Sequence, residues 1–180
     1  PNTRAPHVYM AEALLASDPA AAEKQLSQVE QAPTPLRARI ELARGMRARA
    51  LKTASAALAG LSRPQTIPQR AEACRALRSL AAVFSAEGDA ASARAAASRL
   101  LDCVKPFPQL ARLPLCLAFE ASESLEWLAR YEHGRGALST AAQYMETDIA
   151  MWANWPQPGP YTETRRKQAE ALLASIRPER

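Results

Sequence analysis

β-Branched aliphatic residues are scarce in this chain of 180 residues, which has four valines and four isoleucines against forty alanines. Strands favour β-branched and aromatic side chains, whereas alanine loses no side-chain entropy in a helix. This balance excludes an all-β fold and argues against a parallel α/β sheet. Aromatic residues make up only 6%. The three cysteines, Cys74, Cys103 and Cys116, form no CxxC pair, and there are only two histidines, His7 and His133. Neither a zinc site nor a disulfide framework is indicated, and reduced thiols in a cytoplasmic protein are expected. No apolar run approaches the roughly 18 residues that a membrane span needs, and no signal-peptide pattern opens the chain. The first residue is Pro1, not methionine, so a fragment of a larger protein is expected.

Signs of catalysis are equally sparse. There is no glycine-rich phosphate loop, no metal-ligand cluster, and no nucleophile at a recognisable spacing from a histidine. Cys103 lies beside Asp102 and Lys105, but Leu101 and Val104 around it favour a structural thiol. The expectation is no enzyme, no catalytic residue, no cofactor and no metal.

The chain is rich in punctuated helical stretches. Fourteen prolines and six glycines gather between segments dominated by alanine, leucine and arginine, and proline begins or ends helices because it lacks the amide donor. Helices are predicted over 6–16, 19–31, 68–86, 90–104, 110–133, 137–153 and 161–176. The long segment 36–61 repeats Leu36, Ile40, Ala43, Met46 and Ala50 at helical steps and is expected to break near 50–53. About nine helices in antiparallel pairs result, with turns near 18, 51, 88 and 135. These turns recur roughly every 33 to 47 residues, a range typical of helical repeats.

Within 77–97 the order of residue types is specific. Leu77, Leu80, Ala81 and Phe84 precede Gly88-Asp89, and Ala93 and Ala97 follow. This pattern resembles a tetratricopeptide repeat, in which small residues let paired helices approach and an aromatic fills the gap between pairs. Looser matches fall at Ala13, Ala22, Leu26 and Pro33; at Leu42, Ala43 and Met46, without a turn glycine; and at Leu125, Leu128, Ala129, Gly136, Ala141 and Met145. The resemblance implies an all-α fold of antiparallel hairpins stacked as an α-solenoid. It forms a single domain over 1–180, with units at about 4–33, 36–62, 68–105 and 110–155 and a capping helix at 161–176. Trp152, Trp155 and Tyr161 around the proline-rich segment either cover the end of the array under that cap or offer an aromatic docking surface.

Charge completes the expectation. The net charge is +5, and most of the excess sits in the first half, at Arg37, Arg39, Arg44, Arg47, Arg49 and Lys52, opposed by Glu41. Such a cluster is either a solvated helix face or a contact for an acidic protein, nucleic acid or anionic lipid. The resemblance implies that first helices line a concave groove. The groove-facing slots then hold Arg4, His7, Arg37, Arg44, Arg47, Arg75, Arg78, Glu123, Glu126 and Arg130. Arg75 and Arg78 occupy places like those where peptide-binding members grip a carboxylate, although Ala82 stands where a companion asparagine would be. The expected function is a non-enzymatic scaffold or adaptor for protein–protein interaction. It would bind a peptide or partner helix, acidic in character, through Arg37, Arg44, Arg47, Arg75, Arg78 and Arg130. The alternative is a helical-repeat sensor or regulatory domain of a larger signalling or transcription regulator that binds a small effector. No membrane partner is expected, and nucleic acid is the less favoured partner.

Overall fold

The computed structural model describes residues 4–30, 33–107 and 114–177. Among these the chain is helical throughout, without strands. Nine helices follow in order: α1 (Arg4–Leu14), α2 (Pro19–Leu26), α3 (Thr34–Ala43), α4 (Arg47–Gly60), α5 (Ile67–Ala86), α6 (Ala90–Val104), α7 (Leu115–Gly134), α8 (Leu138–Ala153) and α9 (Pro160–Ile176). The all-α expectation is met, and no helix of the described residues is long and apolar enough to cross a membrane. The predicted start of the 110–133 helix falls partly outside the described residues.

One boundary differs from expectation. The segment 36–61 does not break near 50–53 but at Arg44–Met46, where Gly45 adopts φ 76°. Here the Met46 N–H reaches back to the Glu41 carbonyl at 2.9 Å and the Gly45 N–H to Leu42 at 2.8 Å. Two last-turn carbonyls of α3 are thereby satisfied, in the Schellman arrangement that needs a left-handed residue just past the helix. The same turn recurs twice. Asp89 N–H donates to the Phe84 carbonyl at 3.0 Å with Gly88 at φ 75°, and Ala137 N–H donates to Glu132 at 2.9 Å with Gly136 at φ 79°. The hairpins α3–α4, α5–α6 and α7–α8 thus share one closure, with turn glycines 43 and 48 residues apart. The first hairpin closes differently: the Asp18 carboxylate accepts from the Ala21 N–H at 2.9 Å, and Pro19 opens α2.

By internal contacts the chain divides into two compact units, Pro1–Arg63 with Ala76–Arg99, and Pro64–Arg75 with Leu100–Arg180. In the first, Ala11, Leu15, Ala22, Leu26, Leu36 and Ile40 form a buried cluster, against which Val8 and Leu14 pack. Leu77, Leu80, Val83 and Phe84 are buried along the second half of α5. The C-terminus of α4 has a side-chain cap, in which the Arg99 guanidinium donates to the Leu58 carbonyl at 2.8 Å and the Leu61 carbonyl at 2.6 Å. A cation is well placed there, at the negative end of the helix dipole.

In the second unit, Ala129, Ala141, Ala142, Met145, Ala169 and Ile176 form one buried cluster from α7, α8 and α9. Four of these six are alanines, which let the helices approach closely. Pro160 opens α9, and the buried Thr162 hydroxyl accepts from the Gly159 N–H at 2.9 Å. Trp152 is buried and meets Trp155 at 5.6 Å and Tyr161 edge-on at 6.1 Å between ring centroids. Tyr161 itself stays exposed.

A Cβ at Gly45 or Gly88 would meet nothing within 4 Å, so any cost there is conformational and not steric. Gly45→Ala and Gly88→Ala are each expected to lower stability by about 1–2 kcal/mol. Gly60, in open space without a positive φ, should tolerate alanine or gain up to about 1 kcal/mol. Urea unfolding of the three variants checks this. Equal midpoints would mean that the turn conformation carries no cost.

Candidate functional site

Two groups of polar side chains stand out, one in each unit. In the first unit, cations dominate the α3–α4 hairpin. Arg37 is exposed on α3, and Lys52 is exposed on α4; neither makes a hydrogen bond or ion pair among the described residues. Arg44, at the C-terminus of α3, pairs with Glu23 of α2, both about 40% exposed. Arg47 stands 3.7 Å from Glu87 but is 76% exposed, and such a pair contributes little in water. Arg49 forms an ion pair with Glu41 at 2.8 Å. Glu41 is not the solvated acid that its place in a basic run suggests: it is buried, and its second carboxylate oxygen has no hydrogen-bond partner.

The earlier turn at Gly45 relocates one expected groove residue. Arg47 is the first residue of α4, a second helix of its hairpin, and not a first-helix residue. His7 also departs from expectation, because its Nδ1 lies 2.9 Å from Gln25 Oε1 on α2. The Arg4 side chain lies outside the described residues. Arg78 is half-buried on the part of α5 in the first unit, and Arg75 belongs to the second. Arg75 does not stand open beside Arg78, since its Nε donates to the buried Glu120 of α7 at 3.0 Å. Breaking such a pair strands a buried carboxylate, so Arg75 holds the fold together. Arg130 is exposed on α7 and makes no hydrogen bond or ion pair among the described residues.

The second unit carries a closed polar network that composition and spacing did not reveal. Arg165 of α9 donates through Nη2 to Ser122 at 2.9 Å and Glu126 at 3.0 Å, and lies 3.1 Å from Glu123. Its guanidinium stacks over Phe119, 5.3 Å from the ring centroid. Glu123 and Glu126, expected to face a groove or solvent, instead tie α7 to α9. Ser122 is saturated: its hydroxyl donates to Asp148 at 3.0 Å and accepts from Arg165 and, at 3.1 Å, from the Trp152 indole. Asp148 is fully buried, and its other carboxylate oxygen has no hydrogen-bond partner.

Burial pushes the Asp148 carboxyl up to about 7, and the nearby Glu126 charge adds to the rise. The Ser122 and Trp152 hydrogen bonds and the Arg165 charge oppose it. The apolar stripe of α8 held the available signal, because Asp148 follows Met145 by three residues and precedes Trp152 by four.

Comparison with family models, with curated proteins and with solved structures gave no match. Among the described residues no group of three His, Cys, Asp or Glu side chains is placed to hold a metal ion.

The Asp148 shift has a pH signature. Its folded value lies above its unfolded value, so the native state holds the proton more tightly. Stability falls as pH rises from about 4 to about 7 and then levels. The ceiling on this loss is about 4 kcal/mol. Asp148→Asn keeps an oxygen for Ser122 and cannot ionise, so it should flatten this fall and stabilise more at pH 8 than at pH 5. Urea titrations at the two values would read this. The same gain at both would show that Asp148 does not titrate in this range.

Proposed function

We propose that this chain is a tetratricopeptide-like array of helical hairpins acting as a non-enzymatic adaptor, and that its first unit takes an acidic peptide or an acidic partner helix. The observation that carries this reading is the exposed set Arg37, Arg44, Arg47 and Lys52 on one hairpin, of which Arg37 and Lys52 have no internal counter-charge. Cations left without a partner add mutual repulsion to the folded state, and a complementary surface relieves it. Three hairpins closed by the same turn support the repeat reading. The small residues at Ala81, Ala93 and Ala97, all buried, support it in the same way.

The direct test is fluorescence anisotropy with a labelled ten-residue polyglutamate probe. Arg37→Glu combined with Arg44→Glu and Arg47→Glu should weaken binding at least about tenfold. Binding of the unaltered protein should also fall as salt rises from 50 to 300 mM, because exposed charges are screened. Undiminished binding by a folded triple variant would remove this surface from the function. Tighter binding of a DNA or RNA oligonucleotide than of polyglutamate would move the reading to nucleic acid.

A further inference from the structure

Helix α9 is held more lightly than the two helices it packs on. Three of its 17 residues are buried, Thr162, Ala169 and Ile176, against eight in α7 and six in α8. Pro156 and Pro158 lie exposed in the segment that leads into it, where proline withholds the amide donors that would fix the backbone. A segment with few buried contacts opens before the rest of a domain. The first turns of α9 nevertheless cover a polar group. Tyr161 meets the buried Trp152 edge-on, and Arg165 reaches the Ser122 hydroxyl, to which Trp152 and Asp148 are both bonded. We propose that the first turns of α9 are a proton-controlled latch, closed on α7 and α8 while Asp148 carries its proton and released, ahead of the rest of the unit, when Asp148 ionises.

The hydrogen bonds supply the reason. Asp148 Oδ2 accepts from Ser122, whereas the buried Oδ1 has no hydrogen-bond partner. A neutral carboxyl costs little in that place, but a carboxylate there loses its hydration without replacement. The facing charges oppose one another. Glu126 of α7 repels a carboxylate, and Arg165 of α9 attracts it. Arg165 is already shared between Glu123 and Glu126, and its buried Nε has no hydrogen-bond partner, so that donor does not serve Asp148. The Asp148 carboxyl stands at about 7 with Arg165 in place, so burial outweighs the attraction. Release of α9 admits water to Oδ1. The open form then holds the proton less tightly than the closed one, and opening gains as pH rises from about 4 to about 7.

Hydrogen exchange of the full chain, read by mass spectrometry at pH 5 and pH 8, tests this without any substitution. Each rate is compared with the intrinsic rate at the same pH, so that only opening remains. Protection of the α9 amides should fall by about tenfold to a hundredfold from pH 5 to pH 8, while that of α7 and of α1 to α3 changes by less than about threefold. Equal protection of α9 at both values would overturn the latch. A loss shared equally by α7, α8 and α9 would also overturn it, by placing the opening in the whole unit. The urea titrations of Asp148→Asn read total stability, which either place of opening satisfies, and exchange separates the two.

Asp148→Asn keeps an oxygen for Ser122 and leaves His7 and His133 in place. Its α9 amides should be equally protected at pH 5 and pH 8, and a pH step of the original size would overturn the proposal. Should this variant fail to fold, the contrast between α9 and α7 in the unaltered protein decides alone. None of these results bears on polyglutamate binding at Arg37, Arg44 and Arg47.

Discussion

The helices of this protein meet largely through methyl groups. Ala11, Ala22, Ala50, Ala81, Ala96, Ala129, Ala141, Ala142 and Ala169 are all essentially inaccessible. Each contributes little on its own, about 0.8 kcal/mol per buried carbon. A helix of 8 to 20 residues with such a stripe is marginal alone. What it gains is distance: small side chains let backbones come close, so the larger Leu80, Phe84, Leu128 and Met145 reach across and fill the remaining volume. Close approach in turn demands a short reversal, and three of the four hairpins use the same one. In each, a left-handed glycine turns the chain while two orphan carbonyls of the first helix find donors three and five residues further on.

That dependence explains which parts of the architecture were legible in the amino-acid order. Helices bounded by proline clusters or by Gly88-Asp89 were readable because their breakers are residue types with no helical alternative. Gly45 was missed because the apolar period runs through it. Leu36, Ile40, Ala43, Met46 and Ala50 keep steps of three and four across the reversal, although Met46 and Ala50 belong to different structural contexts from Leu36 and Ile40. A single Gly flanked by Arg44 and Met46 carries weaker punctuation than a proline pair. It is nevertheless the turn, as the bonds from Gly45 and Met46 show.

Charges were less legible than helices, for a physical reason. Whether a charged side chain faces water or another helix depends on partners distant in the chain, and no local pattern records them. Arg75 and Glu120 lie 45 residues apart, and Arg165 and Glu126 lie 39 apart. Local reading therefore assigned Arg75, Glu123 and Glu126 to an open surface, when each is engaged across helices. Asp148 left a clearer trace, as an acid within an apolar stripe, and Ser122 marks the facing position on α7.

The most perturbed carboxyl in the described residues is thus not where a ligand would find chemistry to do. A strongly shifted group marks function only when its surroundings leave valences for something else. Around Asp148 most valences are used: Ser122 uses its one donor and both lone pairs, and Arg165 is held by two glutamates and lies against an aromatic face, while Asp148 Oδ1 and Arg165 Nε, both buried, lack a hydrogen-bond partner. The network ties α9 to α7, and through Ser122 to Asp148 and Trp152 of α8. The α3–α4 hairpin shows the opposite balance. Its cations outnumber the acids that reach them, and Arg37 and Lys52 are matched by none. Electrostatic free energy left unsatisfied within a fold can be recovered only from outside it, and this imbalance is what the proposed reading of the first unit rests on, whereas the charges of the second unit are spent on cohesion.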